Sequence, residues 1–148
     1  MIHTPAWKSY RNVATQTASP GQLVLMLYEG AIRFSERALA GFDCEDPLEF
    51  NQTINNNILR AQAIIHELDA ALDLERGGPF ASNLHALYVY LDRCLQESNV
   101  QKQTSGLSEV IRRITVLRDA WAEMLQKQTA HQEQEKQEFA PMAVGEFA

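Results

Sequence analysis

Helix start signals recur along this chain, and they constrain its fold more than any other feature. Residues 19–22, Ser-Pro-Gly-Gln, combine a capping serine, a proline at the first helical position and a glutamine that can complete a capping box. Residues 46–49, Asp-Pro-Leu-Glu, repeat the pattern with a carboxylate cap. Apolar residues follow each signal at three- and four-residue steps, which indicates amphipathic helices.

Four helices are predicted, covering roughly residues 19–41, 46–76, 80–98 and 106–127. The second is expected to end near Arg76 because the following Gly-Gly-Pro cannot continue a helix. The connections are short, which favours antiparallel neighbours. No strand-type alternation competes with this pattern, so the predicted fold is all-α, an antiparallel up-down-up-down four-helix bundle.

Two segments are expected to lie outside the bundle. Residues 1–18 form an N-terminal segment that can cap the bundle, with Trp7 and Tyr10 among polar neighbours. Residues 129–148 are rich in Gln and Glu and then small and weakly apolar, which predicts a disordered C-terminal tail. Residues 19–128 are therefore the predicted bundle domain.

Length and charge narrow the class of protein. A chain of 148 residues has the usual size of one domain. The net charge of -6 argues against nucleic acid or an anionic membrane as the main partner. The sequence shows no apolar run of about 18 residues and no signal-peptide pattern. We therefore expect a cytoplasmic location and no insertion into a membrane.

Cys44 and Cys94 lack metal or redox spacing and are interpreted as reduced structural thiols.

Signals for catalysis are missing from the sequence. No P-loop, GxGxxG, HExxH or GxSxG pattern occurs, and neither His66 nor His85 follows a glutamate at the di-iron spacing. His66 is the one candidate for histidine phosphotransfer, but Glu67 and Asp69 beside it disfavour a phosphorylated histidine. No enzyme activity, cofactor or metal is therefore expected.

The first predicted helix carries more apolar surface than one core requires. Besides its core stripe it has a second one, turned by roughly 130° on the helical wheel and formed by Leu25, Tyr28, Ile32 and Leu39. This stripe lies either in a broad contact between helices or beneath the N-terminal segment, or else it is a docking surface for a partner.

The second predicted helix carries a strip of mixed character on one face, formed by Asn55, Leu59, Gln62 and His66. The run of three asparagines at 55–57 is unfavourable inside a helix because their side chains compete for backbone hydrogen bonds. The strip is either a solvated polar face or a set of amides that hydrogen-bond a bound peptide.

A family resemblance supplies the identity of a partner. Residues 17–33, TASPGQLVLMLYEGAIR, are similar to the TASPxxLxxMLYDGAIR signature of the FliS family of flagellar export chaperones, with Glu29 in place of aspartate. Residues 107–110 and 117–121 resemble the LxEV and LRxAW blocks of that family. The likeness covers residues 7–125; Trp7, Thr15 and Asp92 depart from the residues that the family often has there.

The resemblance implies an ATP-independent chaperone that binds the disordered C-terminal segment of flagellin, prevents premature polymerisation and delivers it to the flagellar type III export apparatus. Helical facing suggests where flagellin binds on such a monomer or weak homodimer: Trp7, Tyr10, Leu25, Tyr28, Ile32, Asn55, Ile58, Leu59 and Gln62. The rival hypotheses are a homo-oligomeric bundle without a client and a phosphotransfer domain with His66 as the acceptor.

Overall fold

The computed structural model describes residues 19–147, with side chains as far as residue 138. Its elements, in order, are α1 (Pro20–Ala40), a 3-10 turn (Gly41–Asp43), α2 (Pro47–Ala70), α3 (Leu74–Gln101) and α4 (Ser105–Phe147). No strand occurs in this part of the chain, and none of these helices is long and apolar enough to span a membrane. The all-α prediction is confirmed.

The four helices close into a ring in which α1 packs on α2 and α4, and α3 packs on the same two helices. Contacts between α1 and α2 run in opposite directions, since Gly30 lies against Ile64 and Gly41 against Thr53. The end of the packed part of α4 meets the start of α1, where Trp121 Nε1 donates to the carbonyl oxygen of Gly21 at 2.8 Å. The predicted up-down-up-down bundle is therefore confirmed.

The predicted start signals act as caps. The backbone N–H of Gln22 donates to Ser19 Oγ at 3.2 Å, and the backbone N–H of Ser19 donates to Gln22 Oε1 at 3.3 Å. Asp46 Oδ2 accepts from the backbone N–H of Glu49 at 2.9 Å. Both helices thus begin where side chains satisfy the first unpaired N–H groups.

The predicted end of the second helix near Arg76 is wrong. Helix α2 ends at Ala70, and Asp73 caps α3 by accepting from the backbone N–H of Arg76 at 3.0 Å. The Gly-Gly-Pro run instead marks a kink inside α3, where Gly78 adopts φ 53° and ψ −138°. Only glycine takes up such a conformation readily, and Pro79 cannot donate a helical hydrogen bond. The boundary between the two helices therefore lies before the Asp73 cap, and the Gly-Gly-Pro run lies inside α3.

The predicted end of the last helix at Lys127 is also wrong, because α4 continues to Phe147. No glycine or proline stands between Gly106 and Pro141, and the intervening Gln, Glu, Lys and Ala residues are good helix formers. The side chains of residues 126–138 are all exposed, so this part of the helix lies outside the core. Flexibility of this region in solution stays a prediction.

The core runs the length of the bundle and draws on all four helices. Its largest fully buried aliphatic side chains are Ile54, Ile58 and Ile65 of α2, Leu91 and Leu95 of α3, and Leu107, Val110 and Ile114 of α4. The two cysteines are free thiols, Cys94 buried and Cys44 partly so. Apart from Ile58, which was expected at the surface, these residues recur at the three- and four-residue steps of an amphipathic helix.

Candidate partner-binding surface

The second apolar stripe of α1 is mostly inside the bundle. Tyr28 is 3% exposed and Ile32 is 7% exposed, and both belong to the main core. Tyr28 also places its hydroxyl oxygen 2.6 Å from that of Tyr88 on α3. The expectation that Tyr28 and Ile32 form a surface is wrong, because α1 packs between α2 and α4 and so buries a wide arc.

Leu25, in contrast, is only half-buried and reaches a groove of about 620 Å³ between the start of α1 and the later part of α4. We call this the α1–α4 groove; its lining includes Gly21, Gln22, Leu25, Ala122, Leu125 and Thr129. Ser19, the first residue that the structure describes, also lines this groove. Trp7 and Tyr10 belong to residues 1–18 and lie outside the described residues.

The strip on α2 faces α3 and is linked to it by hydrogen bonds. Gln62, which is 8% exposed, donates from Nε2 to Gln96 Oε1 at 3.3 Å and to the carbonyl oxygen of Asp92 at 3.5 Å. Asn99 Nδ2 donates to Asn55 Oδ1 at 2.9 Å. Asn55 and Gln62 each use only one end of the amide in these bonds, so the Nδ2 group of Asn55 and the Oε1 atom of Gln62 stay outside them.

Two histidine–aspartate contacts continue the same line of cross-links. His66 Nε2 lies 2.9 Å from Asp92 Oδ1, and His85 Nδ1 lies 2.6 Å from Asp69 Oδ1. We define the polar seam as these side chains together with the amides, namely Asn55, Gln62, His66 and Asp69 of α2 and His85, Asp92, Gln96 and Asn99 of α3.

Leu59 and Ile58 occupy opposite positions relative to this seam. Leu59 is 52% exposed and lies on the same helical face as Asn55 and Gln62. Ile58 is fully buried in the core, so its expected surface position is wrong. Leu59 therefore exposes a large apolar side chain beside the seam, between the amides of Asn55 and Gln62.

The asparagine run at 55–57 makes some of its hydrogen bonds within the protein, although Asn57 Oδ1 is buried without a partner among the described residues. Besides the bond from Asn99 to Asn55, Asn57 Nδ2 donates to the carbonyl oxygen of Thr53 at 2.8 Å. Asn56 is exposed to solvent. The two hydrogen bonds offset part of the cost of asparagine in a helix interior.

Electrostatics near the seam and core follow from burial. Removal from water raises the pKa of both Tyr28 and Tyr88, so this buried pair stays neutral and hydrogen-bonded well into the alkaline range. At the end of the seam, burial lowers the pKa of Lys102, whose Nζ donates to Asn99 Oδ1 at 2.6 Å. On α4, hydrogen bonds from Arg113 and Arg112 hold the pKa of Glu109 below its usual value.

The α3 half of the seam was not predicted, since only the first and second helices were assigned surface strips. Its signal was available, because Asp92, Gln96 and Asn99 recur at four- and three-residue steps. The register between α2 and α3, which sets these residues opposite Gln62 and Asn55, could not be predicted from the sequence.

The fold and these surfaces define the class as an all-α bundle with elongated, mixed polar and apolar surfaces. In the described part of the chain, no group of three or more His, Cys, Asp or Glu side chains is placed to hold a metal ion.

Residues 3–128 match the family described as Flagellar protein FliS. Over 122 residues the chain is 33% identical to the flagellar secretion chaperone FliS of Bacillus subtilis, covering 82% of this chain and 87% of that protein. It is 33% identical over 132 residues to the Campylobacter jejuni chaperone, covering 89% and 100%, and 32% identical over 124 residues to that of Salmonella typhimurium, covering 81% and 90%. The chain belongs to the FliS family of flagellar secretion chaperones.

Proposed function

We propose that this protein is a cytoplasmic, non-catalytic chaperone that binds the disordered C-terminal segment of flagellin. It prevents premature polymerisation and presents the segment to the flagellar type III export apparatus. The observation that carries this proposal is the family match across residues 3–128, with relatives that are named flagellar secretion chaperones. The function requires only binding, with no cofactor or metal.

The polar seam supplies the side chains for an extended stretch of client. Asn55 uses Oδ1 to accept from Asn99, which leaves its Nδ2 group as a donor for a peptide carbonyl. Gln62 uses Nε2, which leaves Oε1 as an acceptor for a peptide N–H. Leu59 projects between them as an apolar contact, so one short strip offers a donor, an acceptor and a hydrophobic site.

The α1–α4 groove suits an apolar helical stretch of the same client. Leu25 and Leu125 line it together with small side chains that allow close approach. A disordered segment that folds on binding can place separate short elements on separate surfaces. In the free protein, Trp7 and Tyr10 are proposed to cover this groove and to be displaced by flagellin. Tyr28, Ile32 and Ile58 then support these surfaces from the core instead of touching the client.

The central test is isothermal titration of the full chain with a peptide from the flagellin C-terminus of the same organism. Saturable binding with a negative heat-capacity change is expected, since apolar surface becomes buried. No heat of binding at high micromolar peptide would contradict the proposal.

Variants locate the site. Leu59→Glu is expected to weaken binding about tenfold or more, which corresponds to about 1.4 kcal/mol. The matched control is Val116→Glu, which adds the same charge at another exposed aliphatic residue, on α4. Asn55→Ala combined with Gln62→Ala is expected to weaken binding as well. Unchanged affinity in that folded double variant would identify the strip as a solvated face.

The rival phosphotransfer hypothesis places a phosphoryl group on His66. Its ring nitrogen lies 2.9 Å from Asp92 Oδ1, and a phosphoryl group there would meet a carboxylate. Incubation with phosphodonors is therefore expected to give no acid-labile label on His66.

The homo-oligomer hypothesis would use Leu59 and the polar seam as a subunit contact. Size-exclusion chromatography over a range of concentrations is expected to show a monomer that forms a one-to-one complex with the peptide. A concentration-dependent dimer that excludes the peptide would support the rival.

A further inference from the structure

A group of cations on the outer side of the α1–α2 pair is not used by the proposed client site. The guanidinium carbons of Arg33 and Arg37 lie 5.6 Å from the ring centroid of Phe34, and that of Arg60 lies 5.7 Å from it. The Phe34 ring is 3% exposed and belongs to the core, so it is a fixed anchor for side chains from two helices. We call Arg33, Arg37 and Arg60 the arginine cluster.

The cluster brings little stability of its own. A cation near an aromatic ring gains a modest electrostatic attraction. Three guanidinium groups around one ring also repel one another, since no two can be farther apart than about twice the ring-to-guanidinium distance. The attraction to the ring and the repulsion between the guanidinium groups therefore partly cancel.

Arg37 and Arg60, like Arg93 on α3, lack a counter-ion among the described side chains. Arg76, Arg112, Arg113 and Arg118 each have a carboxylate oxygen within 4 Å, at distances between 2.8 and 3.7 Å.

Arg37 makes no such contact although Glu36 precedes it, and neither does Arg60. Arg37 is exposed and Arg60 half-exposed, so both can meet a ligand from solvent. Their planar forks of N–H donors match carboxylate oxygens in pairs.

The net charge of the chain and the placement of these arginines favour an acidic protein segment over other anionic ligands. The chain carries a net charge of -6, which repels nucleic acid and anionic membranes as a whole, whereas a short acidic peptide meets only the local field. Arg37 and Arg60 also come from different helices, so a chain with several carboxylates can engage both. On the helical wheel of α2, Arg60 lies about 140° from the centre of the polar seam, which places the cluster on a different face.

We propose that the arginine cluster is a docking site for an acidic segment of a partner protein, whose Asp or Glu carboxylates accept hydrogen bonds from Arg37 and Arg60. This site is separate from the proposed flagellin surface, so a partner can bind while the seam and the α1–α4 groove hold a client.

The test is fluorescence anisotropy of a labelled octaglutamate peptide titrated with the full chain. Saturable binding that weakens with added salt is expected. Arg37→Gln with Arg60→Gln should lower the affinity at least fivefold. The control, Arg76→Gln with Arg93→Gln, removes the same net charge from α3 and should stay within twofold of the parent. Equal losses in both double variants, or the absence of saturable binding, would overturn the proposal.

Two further measurements make the result specific. Arg37→Lys with Arg60→Lys keeps the charge but removes the donor fork, and an affinity between those of the parent and the Gln variant is expected. Inorganic phosphate and vesicles of anionic phospholipid are tested as competitors of the peptide. If either binds with the same arginine dependence while octaglutamate does not, the acidic-segment proposal is wrong.

Discussion

Helix α2 has two neighbours along its length, and it packs against them in different ways. Towards α1 and the 3-10 turn that follows it, the contact is close: a Cβ at Gly30 would lie 3.1 Å from Ile64 Cδ1, and one at Gly41 would lie 2.9 Å from Thr53 Cγ2. Towards α3, the outer edge of the contact is the polar seam of amide and histidine–aspartate bonds.

The two contacts therefore differ in role: the contact with α1 stabilises the fold, and the edge towards α3 can exchange its hydrogen bonds for those of a ligand. Apolar side chains removed from water contribute in proportion to the area buried. Hydrogen bonds between partly exposed side chains contribute little, because water and other polar ligands replace them readily. The α1–α2 contact is thus suited to stabilise the fold. At the α2–α3 edge, hydrogen bonds to a bound peptide can replace those between the helices.

The largest effect is expected from Ile64→Ala, which empties a site against α1. Ile64 is 3% exposed, and such truncations in a core cost about 2–5 kcal/mol. Urea denaturation measures the loss. The control is Leu59→Ala on the same helix, where the side chain is 52% exposed and a change below about 0.5 kcal/mol is expected. Equal losses would remove the distinction between the two faces of α2.

The second prediction concerns the tyrosine pair that joins α1 and α3 across the core. Burial raises the pKa of Tyr28 and Tyr88 above the unfolded value near 10, so the folded state keeps protons that the unfolded chain loses. Their stabilising contribution is complete below about pH 10 and is lost as the pH rises further. Each tyrosine contributes a slope of about 1.4 kcal/mol per pH unit there.

Urea midpoints collected from about pH 9 to about pH 11 should show this alkaline loss. Tyr88→Phe is expected to reduce the slope, because one of the two buried tyrosines no longer titrates. An identical slope in the parent and the variant would mean that the buried pair does not control the alkaline limit.

Local signals in the sequence were sufficient for much of the fold. The caps at Ser19 and Asp46 act over three residues, and the core seams repeat at helical steps, so both can be predicted without knowing the packing. The end of α2 was mispredicted because two stop signals compete over a few residues. The cap at Asp73 acts first, and the break at Gly78 becomes a kink.

The surface was harder to predict because it depends on which helices flank a given face. Tyr28 and Ile32 form a second stripe on the wheel, yet α1 has neighbours on both sides and both residues are buried. Leu59 and Gln62 were placed correctly on one face. Their contacts to α3 depend on the register between two helices, which no local pattern encodes.

A smaller effect is expected from the amides of the seam. Gln62→Ala should lower stability by about 0.5–1.5 kcal/mol, the usual net contribution of one hydrogen bond. A double-mutant cycle with Gln96→Ala measures how much of this belongs to the pair, and a coupling below about 1 kcal/mol is expected. A coupling free energy above about 2 kcal/mol would show that the two amides hold α2 firmly against α3. Such a strong contact would contradict the idea that a bound peptide replaces these hydrogen bonds.

The smallest effect is expected from His66→Ala. The His66 side chain is 63% exposed and that of Asp92 is 33% exposed, and contacts of this kind contribute less than about 0.5 kcal/mol. Urea denaturation at neutral pH, in low and in high salt, should give nearly the same midpoint for the variant and the parent. His85→Ala provides the comparison, since His85 and Asp69 are less exposed, at 47% and 27%, and its loss should be slightly larger. A loss above about 1 kcal/mol for His66→Ala would make the seam as rigid as the α1–α2 contact, and flagellin would then have to bind without opening it.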